Sequence, residues 1–528
     1  MTGNLIRAKN YGNMNFFNNK KQQKAKTGID VKLANKSFRE GLAHYKHNRK
    51  FEALTALQKA LEYDPDFIAA KKKIAGIFIE TGDKITAASY FEEILNTDPK
   101  NQDAIEFLYD YYMQAGYLSD AAAVLKKKAF THKKKEKKRE DLFAAADLYF
   151  KAENNDEARA TYHELLLEEV YNPVIYQKLN EIYHREQNHK KWKVCEEVLS
   201  LNKKLPSGKV TKHIKLISAP GPITSEIYEK LTHPGEKTFR KYLSWLSPLI
   251  KVMEAPTPPE ILRVAEMVPE DSQDYKIYKE CCHYLNMDIP PLRHYRGPSR
   301  FRFIADPLEG GGGYSLIYND VFLEQLNDVE KTFLFSNQLS IIKSGFVSLL
   351  NLSLGDVAKI LMETAAFVFS FLTLVKGLPF EKAAKIIEKT GAMKLFNLVQ
   401  NFQKKLTSFN ILGKKPEELE TLARKSAGML PEKFESGEFD KKSFLKRSML
   451  ESVLLGFHHT ADRVSYYLTR DLVGSSRAML YMLAGKDSIE RIEKFGLEPY
   501  ITECRNEALK KRLGELFFFA VDTDPDNA

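Results

Sequence analysis

The stretch Gly41–Pro65, GLAHYKHNRKFEALTALQKALEYDP, returns in altered form as Ile77–Pro99, IFIETGDKITAASYFEEILNTDP. Ala53, Ala87 and Ala121 fall at intervals of 34, and so do Leu57, Phe91 and Leu125. Pro65 and Pro99 keep the same interval, as do Gly82 and Gly116. A small residue with a bulky apolar one four positions later puts both on one face of a helix. The alanine lets a neighbouring helix approach and the bulky residue fills the remaining gap. The proline ends the second helix of each pair because it has no N–H to continue it. The spacing predicts a stack of helix pairs.

A fourth unit fits Asp141–Leu167, with Ala158 and Tyr162 in the small and bulky positions. Its offset from Ala121 is 37, so three residues are inserted, and they fall in a lysine-rich connection. A weaker fifth unit covers Pro173–Leu199 with Trp192 and Cys195. This 34-residue pattern resembles the tetratricopeptide repeat. The resemblance implies a helical solenoid whose concave surface binds a protein partner, with Lys71, Asn101, Tyr109, Tyr112 and Tyr149 as candidate contacts. The same tyrosines would serve equally as residues that pack one repeat on the next.

With 528 residues the chain has room for two or three domains. Hydrophobic residues at 43% and charged residues at 28% point to a folded chain. The net charge of +10 admits anionic partners, but the excess is concentrated in lysine clusters. The densest, Lys126–Arg139 (KKKAFTHKKKEKKR), carries nine Lys/Arg and one Glu. No aromatic stacking pattern accompanies it, so it reads as a solvated connection; nucleic acid is not expected, and a membrane only as a peripheral contact. The four cysteines lack paired metal-ligand spacing, and no cofactor is implied. Residues 1–36 show no apolar leader core, which gives a cytoplasmic expectation. The uncharged run Thr364–Val375, preceded by Gly345–Gly355, is shorter than the roughly 20 residues a membrane span needs and predicts a buried helical hairpin. Oligomeric state stays open.

Beyond the repeats the texture changes. Leu205–Ile223 is rich in Pro, Gly and Lys and reads as a linker. Helices are expected at Thr224–Thr232, Phe239–Val252 and near Ser272–Leu285, and strands at Arg300–Ala305 and Tyr314–Tyr318. Asn327 or Asp328 followed by Glu330 is good helix-start chemistry and predicts a helix over Val329–Lys343.

The segment Tyr314–Gly345, YSLIYNDVFLEQLNDVEKTFLFSNQLSIIKSG, resembles the core of the HtpX-type zinc metallopeptidases, whose metal helix reads H-E-L-x-H-I-K-x-G. In such a helix two histidines at i and i+4 hold zinc and the glutamate polarises the metal-bound water. Asn337 and Ile341 stand at the histidine positions and Gln338 at the glutamate position. The family's third ligand, a glutamate in an E-x-x-A-D motif, corresponds to His458 in His458-His459-Thr460-Ala461-Asp462-Arg463. The resemblance covers roughly residues 222–485 and implies a peptidase-like fold with no metal and no general base. It also implies that Asn337, Ile341 and His458 converge.

Other motifs lead nowhere catalytic. Glu309–Gly313 lacks the G-K-[ST] of a phosphate loop and reads as a hairpin turn. Adjacent Cys281 and Cys282 chelate poorly and read as helix core. His458 and Asp462, at i and i+4, suggest a hydrogen-bonded pair rather than a metal site. The expectation is a mainly α protein: a basic disordered tail (1–33), a tetratricopeptide solenoid (34–204), a linker (205–223), a helix-rich α+β degenerate metallopeptidase-like domain with a small sheet (224–490), and a C-terminal helix with an acidic tail (491–528). Its expected role is a non-catalytic protein-interaction scaffold, a pseudoenzyme of bacterial type. The alternatives are a metallohydrolase with a relocated site at His458, Asp462 and His294, and a membrane- or nucleic-acid-associated adaptor using the lysine clusters.

Overall fold

The computed structural model describes residues 30–203, 219, 221–242, 257–297, 301–308, 313–347 and 447–523. The chain divides into two compact units, Met1–Leu165 and Leu166–Ala528.

The first unit is a run of helix pairs: α1 (Val31–Lys46) with α2 (Lys50–Tyr63), α3 (Ile68–Glu80) with α4 (Lys84–Thr97), α5 (Gln102–Ala115) with α6 (Leu118–Ala129), and α7 (Lys135–Lys151) with α8 (Asn155–Leu166). The small and bulky positions read from the sequence are its core: Ala53, Ala87, Ala121, Ala158, Leu57, Phe91, Leu125 and Tyr162 are all buried. Leu57 packs with Ile74 and Ile77 between consecutive pairs. The chain is a tetratricopeptide-type solenoid here.

What repeats most faithfully is the turn inside each pair. A residue in the left-handed region stands at Asn48, Gly82, Gly116 and Glu153, and the next residue donates its N–H five positions back: Arg49 to His44 (3.0 Å), Asp83 to Phe78 (2.9 Å), Tyr117 to Tyr112 (2.9 Å) and Asn154 to Tyr149 (3.0 Å). This closure satisfies carbonyls left open at the helix end. The step from Gly116 to Glu153 carries the same three extra residues as the step from Ala121 to Ala158.

The second unit opens with another such pair, α9 (Pro173–Arg185) and α10 (His189–Leu201), whose turn at Gln187 has the same form. Expected as the last repeat of the solenoid, this pair packs among C-terminal helices of its own unit. Tyr171 donates to the Lys510 carbonyl, Lys191 to that of Val521, and Glu197 accepts from Leu472 N at 2.9 Å. Next come α11 (Ser225–Leu231), α12 (Pro234–Tyr242), α13 (Pro259–Leu262), β1 (Glu266–Met267), α14 (Gln273–Tyr284), β2 (Leu292–Tyr295), β3 (Phe303–Pro307), β4 (Tyr314–Asn319), α15 (Asp320–Leu323) and α16 (Asp328–Ser344). The unit closes with α17 (Arg447–Thr469), α18 (Leu472–Ala484), α19 (Lys486–Phe495), α20 (Leu497–Glu503) and α21 (Glu507–Asp522).

The sheet has the order β1-β2-β4-β3, with β2 and β4 parallel and the outer pairings antiparallel. Strands β1 and β2 have no counterpart in the sequence reading: two and four residues are too few to show alternation against their Pro-rich flanks. β3 begins at Phe303 and extends two residues past the expected end at Ala305. Asn327 caps α16 by accepting from Glu330 N, while the Glu330 carboxylate accepts from Asn327 N. Phe335 seats α16 on the sheet and on α14, with its ring 5.6–6.1 Å from those of Tyr278, Phe303 and Tyr318. Cys281 and Cys282 are buried in α14, as helix core. The tail before residue 30, most of the linker, the Trp245 segment, residues 309–312 and the apolar run Thr364–Val375 lie outside the described residues. Among the described residues no helix is long and apolar enough to cross a membrane.

Candidate functional site

The candidate contacts on the solenoid are largely engaged within it. Lys71 is buried and its Nζ lies 2.8 Å from the Glu93 carboxylate. Asn101 caps α5, accepting from Ala104 N and donating to Asp98. Tyr112 donates to Glu92, and burial holds its hydroxyl well above the ordinary phenol range. Tyr149 is buried and pushed up to about 12 for the same reason. Tyr112 and Tyr149 occupy one repeat position, the acceptor of the turn closure, which His44 and Phe78 fill half-buried in the first two pairs. Tyr109 alone of the five is half-exposed without an assigned packing role.

In the second unit, α16 and α17 pack antiparallel. Asn337 Nδ2 donates to Asp462 Oδ1 at 2.8 Å, and further along the Phe346 and Phe457 rings lie 4.2 Å apart. Ile341 lies in sequence between Asn337 and Phe346, and His458 between Phe457 and Asp462. Asn337, Gln338, Ile341 and Asp462 are all buried. Gln338 Nε2 donates to Asn337 Oδ1 at 3.1 Å. From α21, Arg512 grips the Asp462 carboxylate with Nε at 2.9 Å and Nη2 at 2.6 Å. Burial pushes the Asp462 carboxyl up, opposed by the Arg512 guanidinium and the Asn337 amide.

The expected His458–Asp462 hydrogen bond is not formed, because both Asp462 oxygens serve Arg512 and Asn337. His458 is half-buried, and its Nδ1 is buried with no partner among the described residues. Burial holds His458 and His459 well below the ordinary imidazole range, and His233, whose ring lies 4.7 Å from that of His459, at about 4. These imidazoles are neutral near pH 7. Arg463 pairs with Glu515, so consecutive residues of α17 each tie to α21. His294 faces Asp320 at 2.9 Å. Among the described residues no three His, Cys, Asp or Glu side chains converge as metal ligands.

Chemically, the junction is a chain of amide donors ending on a neutralised carboxylate. Gln338 cannot take a proton from water, and Asp462 is buried and accepts three hydrogen bonds from Asn337 and Arg512. Arg512 is the residue that sequence reading missed, since no local signal links it to Asp462. A cleft of about 660 Å³ opens nearby beside Tyr228, Thr232, Lys237, Arg240 and Lys343, but its cations are spent on Glu229, Glu236 and the Leu285 carbonyl.

No family model matches the chain, and no curated protein does. Solved structures that it resembles include MamA, at 15% identity and a TM-score of 0.19 over 34% of this chain and 98% of that one. Another is PilF of Pseudomonas aeruginosa, at 14% identity and a TM-score of 0.17 over 32% and 75%. The complex of Naa15 and Naa10 bound to HypK-THB gives 14% identity and a TM-score of 0.21 over 92% and 68%. At scores this low the likenesses carry no argument. The solenoid stands on its own helix pairs and turns.

Proposed function

We propose that this chain is a non-catalytic protein-interaction scaffold. Its solenoid receives a protein partner, with half-exposed Tyr109 as the candidate contact that stays accessible, and its second unit is a degenerate HtpX-type metallopeptidase domain used as a further binding or structural module. The observation that carries the second part is the Asn337–Asp462 hydrogen bond. It joins the two segments that the family resemblance aligns, 125 residues apart, linking one expected ligand position, Asn337, to Asp462, four residues beyond another, His458. Zinc does not fit the residues present: an amide and an isoleucine replace the two imidazoles, and the nearest carboxylate is held by Arg512. What remains is a helix–helix junction closed by hydrogen bonds, which is what a module valued for shape retains.

The test is restoration. Metal analysis of the purified full chain and of the variant Asn337→His/Ile341→His/His458→Glu should find zinc bound stoichiometrically by the variant alone. A folded variant that binds no zinc overturns the peptidase-like reading. Stoichiometric zinc with chelator-sensitive proteolysis in the native chain overturns the non-catalytic one.

A further inference from the structure

The corner between α6 and α7 has a charge arrangement that neither the repeat packing nor the polar junction uses. Lys126 and Lys128 are paired there, with Glu164 and Asp141 at 3.7 Å each. Lys127, Lys133, Lys134, Lys135 and Lys137 are exposed, and no ion pair holds any of them among the described residues. In their midst Phe130, at the end of α6, is 51% exposed, with Lys138 Nζ 5.0 Å from its ring.

The lysines also stand where helix electrostatics disfavours them. α7 starts after Lys134 with no side-chain cap, so its first N–H groups are left open to solvent. Positive partial charge gathers at that end, and Lys135 and Lys137 add to it with only Glu136 between them. The turn before α5 meets the same need with Asn101 as an acceptor; α3 also starts without a side-chain cap, after Phe67, but with no exposed lysine cluster at its start. A helix start that omits its cap and adds cations costs local stability, and such conflicts concentrate where another requirement has been met.

We propose that this corner docks on an anionic lipid surface, the lysines meeting phosphate-bearing headgroups and Phe130 entering the headgroup–acyl boundary. An apolar ring surrounded by flexible point charges is suited to a fluid anionic plane. Single-stranded nucleic acid calls for successive aromatic platforms and for planar guanidinium forks. Within residues 126–139 there are one phenylalanine, no tyrosine or tryptophan, and one arginine; His132 is held by Asp141 and Arg139 is already engaged. The proposal is independent of the scaffold reading above.

Flotation of the full chain with phosphatidylcholine vesicles, with and without phosphatidylserine, tests it. Binding is expected only with phosphatidylserine and should fall steeply once salt shortens the screening length to about 3 Å, near 1 M. Neutralising Lys127, Lys133, Lys134, Lys135 and Lys137 to Gln should weaken binding at least about tenfold. Phe130→Ala should weaken it about threefold while leaving the salt dependence intact. Because all these side chains are exposed, unchanged circular dichroism and a melting temperature no lower than that of the native chain will show that the variants fold. Replacing Lys20, Lys21, Lys24 and Lys26 of the N-terminal tail should leave binding in place. The proposal is overturned if vesicles are not bound, if binding follows the tail instead of the corner, or if mixed-sequence single-stranded RNA displaces the vesicles from these lysines.

Discussion

Arg512 and Asp462 form a two-pronged ion pair inside the second unit, Nε and Nη2 of the one meeting Oδ2 and Oδ1 of the other at 2.9 and 2.6 Å. Both side chains are buried, so each neutralises a charge that the other would strand. Arg512→Met should destabilise the unit by about 3–5 kcal/mol, because Asp462 stays behind without its counter-ion. Removing both charges, as Asp462→Leu with Arg512→Met, should recover most of that loss. Urea unfolding followed through Trp192 fluorescence checks it; equal losses in the single and double variants would rule out a stranded charge.

Gly456 of α17 meets the chain at Gly235 and Glu236, where an added methyl would lie 2.5 Å from Glu236 N and 2.8 Å from the Gly235 carbonyl carbon. Backbone cannot move aside as a side chain can. Gly456→Ala should therefore cost about 1–3 kcal/mol by forcing α12 off α17. Gly76, inside α3 with nothing within 4 Å, should respond with the opposite sign. There Ala removes backbone freedom from the unfolded chain and should stabilise by up to about 1 kcal/mol. Paired thermal melts read both signs.

The left-handed turn residues separate strain from sterics. Gly116 has φ +77° and open space around it, so Gly116→Ala should lose about 1 kcal/mol from backbone conformation alone. At the equivalent position Glu153 already bears that strain with φ 59°, and Glu153→Gly should gain stability despite making the chain more flexible. Opposite shifts in melting temperature are the expected result.

Glu197 carries the pH dependence that is easiest to isolate. Buried in α10, its carboxyl is pushed up to about 7, chiefly by loss of solvation and against the pull of Lys193. A folded-state value above the unfolded one favours folding in the protonated form. Its contribution is thus fully present below the ordinary carboxylate range and is lost as pH rises through about 7. Between pH 5 and 7, to about that precision, the native chain should lose stability relative to Glu197→Gln, which still offers an acceptor to Leu472 N. Parallel pH curves for the two proteins would place the titrating group elsewhere.

The solenoid was legible because its information is local and repeated: Ala53 and Leu57 recur in phase with Ala87 and Phe91, and each pair packs on the next. The three-residue insertion was equally readable, and the turn at Glu153 lies where it predicts. The capped start of α16 was also visible, since Asn327 and Glu330 act within one helical turn. The polar junction was only half visible. The motif set Asn337 against His458, whereas Asn337 donates to Asp462, and Arg512 reaches that carboxylate from another helix and leaves no trace in spacing. For the same reason a His458–Asp462 pair was expected; i and i+4 geometry permits it, and a stronger donor from α21 displaces it. Lys71, Asn101, Tyr112 and Tyr149 are buried; the sequence left two roles open for the tyrosines because composition does not say which face of a repeat a side chain occupies.

The stitches from Tyr171, just before α9, and from α10 to the last helices set an order of events at the ribosome. Tyr171 waits for Lys510, 339 residues away, and Lys191 for Val521, 330 residues away. Contacts of such separation form only after that much chain has been made, whereas α1–α8 need little beyond the next repeat. During synthesis the solenoid is therefore finished and exposed while the second unit still holds an incomplete core around Leu199 and Tyr176. A stalled or truncated chain would keep its folded solenoid and present raw apolar surface from the second unit, a species for chaperones and proteases to sort.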